Sequence, residues 1–162
     1  MSEILFRGQD ARTKEWRFGS LIDFDKESGY RLIVEPYHNA STIPLYYLMK
    51  EHAHFVVPET IDQYTGLKDK NGKRIFEGDV VRWTSENTYL TSNYVYDRRA
   101  YGYGSVLIVT SLESGFTLRP IKDNAPDIPN ANCKIDNYTF WNHHNQLEVI
   151  GNIHDNPELL EG

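Results

Sequence analysis

The chain has 162 residues, with 17 basic and 23 acidic side chains, which gives a formal net charge of −6. An apolar fraction of 40% and an aromatic fraction of 13% exclude a disordered chain, and the length fits one domain or two small units that share a core. A general nucleic-acid-binding protein is usually basic, so the acidic balance disfavours that class without excluding a local basic groove.

The sequence carries no targeting or redox signal. No segment approaches the ~18 consecutive apolar residues that span a membrane, and Met1–Glu3 lacks the basic and apolar regions of a secretory signal. The single cysteine, Cys133, excludes an intramolecular disulfide. We therefore expect a cytoplasmic protein with no membrane association.

Residues 1–57 predict a small N-terminal β-unit. Apolar runs, period-two alternation and closing prolines predict strands at Ile4–Arg7, Trp16–Gly19, Tyr30–Glu35 and Phe55–Val57. Between them, Pro44–Glu51 has leucine and methionine at helical spacing, which indicates a short helix or a loop.

The stretch Thr60–Val81 carries the clearest turn signals. Asn71-Gly72 predicts a type I′ turn, because both central residues of that turn need a positive φ. Two further turns are predicted at Gly66 and at Gly78-Asp79.

The basic side chains around this turn allow two interpretations. They could contact a nucleic-acid backbone, or they could cover a solvent-exposed hairpin tip. Acidic residues alternate with them and leave no field of one sign, which favours the hairpin tip. These basic residues are Lys68, Lys70, Lys73 and Arg74.

Residues 58–162 predict a second β-unit with a long loop at 84–102, in which the polar, tyrosine-rich stretch Glu86–Arg99 could also form a protruding hairpin. Strands are predicted at Val80–Trp83, Tyr103–Thr110, Phe116–Leu118, Tyr138–Trp141 and Leu147–Ile150. Asn156 as N-cap and Pro157 at the first helical position predict a short C-terminal helix. The predicted fold is therefore mainly β, with the N-terminal β-unit packed on an SH3-like, partly open barrel.

Histidines raise the hypothesis of a metal site. His52 and His54 would share one face of a strand, and His143-His144 is a second close pair. Zinc takes four ligands at recurrent spacings, which are missing here, so the pattern favours ordinary polar residues. We expect neither a metal nor another cofactor.

Catalytic motifs are also missing. Cys133 lies in a loop with a possible base, His143, ten residues away, but proximity in sequence does not show contact, so a passive cysteine is favoured. Glu77 and Asp79 are the best-placed carboxylates for acid–base chemistry, but such residues in a turn more often bind backbone amides. We therefore expect a protein that is not an enzyme.

A tyrosine-rich segment is the candidate interaction surface. Aromatic and arginine side chains together are enriched in protein–protein interfaces, and they also stack on bases in single-strand binders. The negative net charge favours the protein interface, although the tyrosines could also simply cover a small β-core. The candidate residues are Tyr89, Tyr94, Tyr96, Arg98, Arg99, Tyr101 and Tyr103.

Four segments, in order, resemble the YopX-type proteins of phages and prophages. The first, Phe6–Asp10, departs from the family pattern at its Gly-Gln pair. The others match more closely and are Val57–Thr60 with Gln63–Leu67, then Lys68–Val81, and Leu147–Leu160.

The resemblance implies one YopX-like domain, a phage or prophage origin, a bacterial cytoplasm and self-association into a homo-oligomer. The resemblance assigns no catalytic residues to this chain, and the residues of the shared motifs are interpreted as structural. Two functions remain open: an interaction module that binds a phage or host protein, and a nucleic-acid-binding accessory protein that uses an SH3-like barrel.

Overall fold

The computed structural model of the protein describes residues 5–23, 29–37, 44–86, 90–91, 100–101, 103–121 and 137–161. The chain is mainly β, as predicted. It divides into two compact units, Met1–Tyr64 and Thr65–Gly162. The sequence placed this boundary after residue 57. The structure places it later because residue 62, at the start of a strand, pairs with Arg7 in the first unit.

The first unit is an antiparallel sheet with one helix. Its strands are β1 (Phe6–Gln9), β2 (Trp16–Asp23), β3 (Arg31–Val34) and β4 (Ala53–Val56), followed by β5 (Asp62–Lys68), which continues into the second unit. The strand order is β4-β3-β2-β1-β5. Helix α1 (Leu45–His52) leads into β4, so the helical alternative at this segment is the one found. A 3₁₀ turn at Pro58–Thr60 precedes β5.

A buried ion pair joins three strands of this unit. Both Nε and Nη2 of Arg7 donate to Oδ2 of Asp62, at 2.9 and 2.8 Å. The guanidinium lies 4.8 Å from the centre of the Trp16 ring, in a cation–π contact. Arg7 therefore connects β1 to β5 and β2. The buried apolar residues of the unit are Leu5, Leu32, Ile33 and Val56.

The second unit contains an open antiparallel sheet. Its strands are β6 (Arg74–Phe76), β7 (Asp79–Trp83), β8 (Leu90–Thr91), β9 (Ala100–Tyr101), β10 (Val106–Leu112), β11 (Gly115–Pro120) and β12 (Leu147–Asn152). The main sheet has the order β11-β10-β7-β12, and β8 pairs antiparallel with β9 within the segment predicted as a long loop or a protruding hairpin. Among the described strands, β11 and β12 are the edges of this sheet, which stays open.

Helix α2 (Asn137–His143) and 3₁₀ turns at His144–Gln146 and Pro157–Leu160 complete this unit. Its core contains Leu67, Ile75, Val81, Trp83, Leu107, Val109, Leu118, Phe140 and Leu147. The last 3₁₀ turn is the predicted C-terminal helix. Asn156 precedes it, but its side chain makes no capping hydrogen bond.

The predicted strand at Tyr138–Trp141 is wrong, because this segment is helix α2. Aromatic residues favour strands on average, but packing decides in a particular context. Here only Phe140 is buried in the core, with 2% of its surface exposed, while Tyr138 and Trp141 face away. In a helix, Tyr138 and Trp141 are three residues apart and share one exposed face, while Phe140 points to the core.

The predicted type I′ turn is also wrong. Gly72 has a φ of 80°, but Asn71 lacks a positive φ. The amide of Gly72 donates to the carbonyl of Asp69 at 2.9 Å. The turn therefore runs from Asp69 to Gly72, and only its last residue, Gly72, is left-handed. Gly66 lies inside β5 rather than in a turn, whereas Gly78 does lie between β6 and β7, as predicted.

Candidate functional site

The tyrosine-rich surface predicted from the sequence falls largely outside the described residues. This applies to Tyr89, Tyr94, Tyr96, Arg98 and Arg99, and to the side chain of Tyr101. Tyr103 is described and lies in a turn after β9 with 67% of its surface exposed. The surface as a whole therefore stays a prediction.

The histidine pairs do not form the geometry that a shared strand face would give. His52 ends α1 and its ring packs on Tyr37, with centroids 4.8 Å apart, whereas His54 lies in β4. The ring of His143 packs against Trp83, and the ring of His144 is hydrogen bonded to the carbonyl of Lys68.

Within the described ranges, no three His, Cys, Asp or Glu side chains come close enough together to hold a metal ion. Cys133 lies outside those ranges.

A charged cluster in the first unit surrounds His54. Its Nδ1 lies 3.4 Å from Oδ2 of Asp10, and its Nε2 lies 3.7 Å from Oε2 of Glu35. Arg17 approaches the same two carboxylates, at 3.8 and 3.5 Å. The Asp10 and Glu35 carboxylates thus face one guanidinium and one imidazole, an arrangement that links β1, β2, β4 and the end of β3.

Neighbouring groups lower the pKa of Asp10. The hydrogen bond from the Thr13 amide to this carboxylate holds the pKa of Asp10 below its usual value. A second amide and the charges of Arg17 and His54 lower the pKa further, whereas burial acts in the opposite direction. Asp10 therefore stays ionised and anchors the turn between β1 and β2.

The family-like segment at residues 68–81 has a structural role in which carboxylates bind backbone amides. Oδ1 of Asp69 accepts the amides of Asn71 and Lys73, at 2.8 and 2.9 Å, and Oδ2 accepts the amide of Val149 at 3.0 Å. The buried Asp69 thereby closes the β5–β6 turn and fastens it to the edge of β12. Lys70 adds an ion pair with Glu148 at 3.3 Å.

The two carboxylates considered for acid–base chemistry also have hydrogen-bond partners. Oδ2 of Asp79 accepts the amide of Phe76 at 2.8 Å and the side chain is buried. Glu77 accepts the hydroxyl of Ser111 at 2.6 Å. Asp79 is thus placed to hold the β6–β7 turn.

An apolar pocket of about 400 Å³ lies in the second unit, between β5, the start of β11 and α2. Its floor is apolar, because Leu67 and Phe140 belong to the core. Its rim is aromatic, because Tyr138 and Trp141 have 73% and 59% of their surfaces exposed. We call this cavity the α2 pocket; its lining residues are Thr65, Leu67, Ser114, Gly115, Phe116, Tyr138, Phe140 and Trp141.

The α2 pocket can accept a large apolar side chain from outside. Thr65 contributes little polarity, because its hydroxyl already donates to the carbonyl of Ile75 at 2.7 Å and accepts the amide of Leu67 at 3.2 Å. Concave, mostly apolar sites with a few polar groups are typical of ligand and partner binding. The α2 pocket was not predicted from the sequence, because its three segments are far apart in the chain and one of them was predicted as a strand.

Neither described helix has the length and apolar character needed to cross a membrane.

Comparison with solved structures shows a likeness at the level of the whole chain. A crystal structure of protein EF1440 from Enterococcus faecalis is similar to this chain over 99% of each chain, with 22% sequence identity and a TM-score of 0.44. A comparison with the curated proteins found no match.

The family resemblance seen in the sequence is confirmed. The model of the YopX protein family matches residues 5–161, nearly the whole chain. The matched range includes all four segments on which the resemblance was based. The chain therefore belongs to the YopX family.

Proposed function

We propose that this protein is a non-enzymatic interaction module that binds a phage or host protein through the α2 pocket. The observation that carries the proposal is the pairing of an apolar cavity with two largely exposed aromatic side chains, Tyr138 and Trp141, at its rim. Tryptophan and tyrosine are enriched among the residues that dominate protein–protein binding energy.

Large apolar side chains at the mouth of an apolar cavity leave surface in contact with water that a partner could cover. Because α2 is anchored by the buried Phe140, this rim is held in place before a partner arrives. A pre-formed rim lowers the entropy that binding must overcome.

Nucleic acid is the alternative partner. Exposed aromatic rings can stack on bases, but single-strand binders combine such rings with a positively charged groove. The α2 pocket has no cationic side chain among its described lining residues, and the net charge of the chain is −6. A protein partner is therefore favoured.

A tagged pull-down from a lysate of phage-infected bacteria, run with and without nuclease, tests the proposal. The wild-type protein is compared with Trp141→Ala, and with Tyr46→Ala as the matched control. Tyr46 is an equally exposed aromatic residue on α1, in the other unit.

We expect a discrete protein partner that survives nuclease, is retained by Tyr46→Ala and is lost with Trp141→Ala. Loss of the captured protein on nuclease treatment would support nucleic-acid binding instead. Equal capture by the two variants would show that the pocket is not the binding site.

A further inference from the structure

We infer that Asn71 is a site of spontaneous deamidation, and that the β5–β6 turn keeps the reaction slow until the turn opens. The chain contains one asparagine that is followed by glycine, at Asn71-Gly72. Neither residue lines the α2 pocket, so this modification does not depend on the proposed function.

The reaction joins the side chain of Asn71 to the backbone nitrogen that follows it. The nitrogen of Gly72 attacks Cγ of Asn71, a new N–Cγ bond forms, and the side-chain nitrogen leaves as ammonia with the amide proton. Water then opens the cyclic imide at either of its two carbonyls, which gives aspartate or isoaspartate. Water is the one co-reactant, and nothing is oxidised or reduced.

The exposure of the Asn71-Gly72 pair favours this reaction. Both residues are exposed, so water reaches the cyclic imide that it must open. Gly72 has no side chain that would obstruct the approach of its nitrogen to Cγ of Asn71. This sequence at the surface is therefore chemically competent to deamidate.

The hydrogen bonds of the turn oppose the attack. The attacking amide of Gly72 donates to the carbonyl of Asp69 at 2.9 Å. The amides on either side of it, those of Asn71 and Lys73, donate to Oδ1 of Asp69 at 2.8 and 2.9 Å. Three consecutive amides are thus held by one residue, and the Gly72 nitrogen reaches Cγ only by rotations that these hydrogen bonds resist.

The attachment of the turn to β12 adds to this restraint. Oδ2 of Asp69 accepts the amide of Val149 at 3.0 Å, and the Asp69 side chain is buried. The turn therefore has to separate from Asp69 before the attack. Local opening of this kind occurs without unfolding of the whole chain, and the fraction of open molecules sets the rate.

Peptide mapping by mass spectrometry tests the inference on the purified full chain. The protein is incubated at mildly alkaline pH, with and without enough urea to unfold it, and the conversion of Asn71 is followed over time. We expect conversion to be at least about ten-fold slower in the folded chain, because a turn that is open in about one molecule in ten reacts at about one tenth of the unfolded rate. A peptide of residues 68–76, incubated with and without urea, corrects for the effect of urea on the reaction itself.

Two variants identify the site and the group that protects it. Asn71→Gln keeps the backbone amide that Asp69 binds, and no conversion at this position is expected on the same timescale, because glutamine would have to form a larger ring. Asp69→Ala removes the carboxylate, so conversion of Asn71 in its folded chain should be faster than in wild type.

Hydrogen exchange of the Gly72 amide in the wild-type chain gives a second measurement, since Asp69→Ala also lowers the stability of the whole protein. Exchange and deamidation both need the open turn, so the fold should slow them by similar factors. A Gly72 amide that exchanges freely while deamidation stays slow would show that the hydrogen bonds of the turn do not protect Asn71.

Three other results would also overturn the inference. Absence of conversion in urea would show that Asn71 is not a deamidation site, and equal rates in the folded and unfolded chains would show that the turn gives no protection. An unchanged rate in Asp69→Ala would assign the protection to another group. All of these outcomes leave the proposed function at the α2 pocket untouched.

Discussion

At the scale of single residues, Asp69 shows how the family-like segment acts. Its carboxylate accepts amides from its own turn and from Val149 on β12, and it is buried. Hydrogen bonds to a charged group are worth more than neutral ones, and buried donors left without a partner are costly. Asp69 is therefore a structural residue of the fold.

Replacing Asp69 with alanine should destabilise the protein by about 3 kcal/mol, because several amides lose a charged acceptor. Chemical denaturation followed by circular dichroism measures the change. Lys73→Ala, which removes an exposed side chain from the same turn, is the control and should stay within about 0.5 kcal/mol of wild type. Equal stability of the two variants would refute the structural role of the carboxylate.

The lowered pKa of Asp10 predicts that the stability of the protein depends on pH. Its pKa in the folded chain lies below the unfolded value because the amide of Thr13 and nearby charges favour the ionised form. A carboxyl group whose pKa is lower in the folded chain than in the unfolded chain stabilises the fold at pH values above its unfolded pKa of about 3.9. This stabilisation is lost as the pH falls through the folded pKa.

Asp10→Asn should therefore be less stable than wild type at pH 7, with the difference shrinking below about pH 4. Urea unfolding at a series of pH values measures this. A difference that stays constant from pH 7 to pH 3 would show that ionisation of Asp10 does not matter.

At the scale of elements, helix α2 places a core residue next to a residue of the proposed binding site. Phe140 is anchored in the core, whereas Trp141 lies at the pocket rim and is largely exposed. Phe140→Ala should cost about 3–5 kcal/mol because it leaves a cavity, whereas Trp141→Ala should change stability by about 0.5 kcal/mol or less.

Thermal and urea unfolding of the two variants measure this contrast. Trp141→Ala should unfold like wild type and yet fail to capture a partner. A loss of stability in Trp141→Ala similar to that in Phe140→Ala would mean that the tryptophan is a core residue rather than a binding residue.

Some elements were predictable because local signals decide them. The apolar run in β10 and the Gly78 turn match the structure since a strand and a two-residue turn depend on nearby residues. The type of the Asn71-Gly72 turn was not predictable, because Asp69 bonds the turn amides and also a distant strand.

The α2 pocket was beyond prediction for a related reason. Its walls come from residues 65–67, 114–116 and 138–141, which only the folded chain brings together. The helical state of the last segment goes with burial of Phe140 in the core, whereas aromatic composition alone pointed to a strand.

At the scale of the whole molecule, the two properties that bear on function are the net charge and the family membership. The chain belongs to the YopX family over residues 5–161, and its net charge of −6 is unlike that of a general nucleic-acid binder. Under the proposed function, the negative net charge favours a protein partner over nucleic acid.

Site-specific photo-crosslinking tests the central claim most directly. A benzophenone amino acid replaces Tyr138 at the pocket rim or, as the control, Tyr46 on α1, and nuclease-treated lysate of phage-infected bacteria is irradiated. We predict a discrete crosslinked protein from position 138 that position 46 does not give. Crosslinking to nucleic acid, or the same products from both positions, would contradict the account.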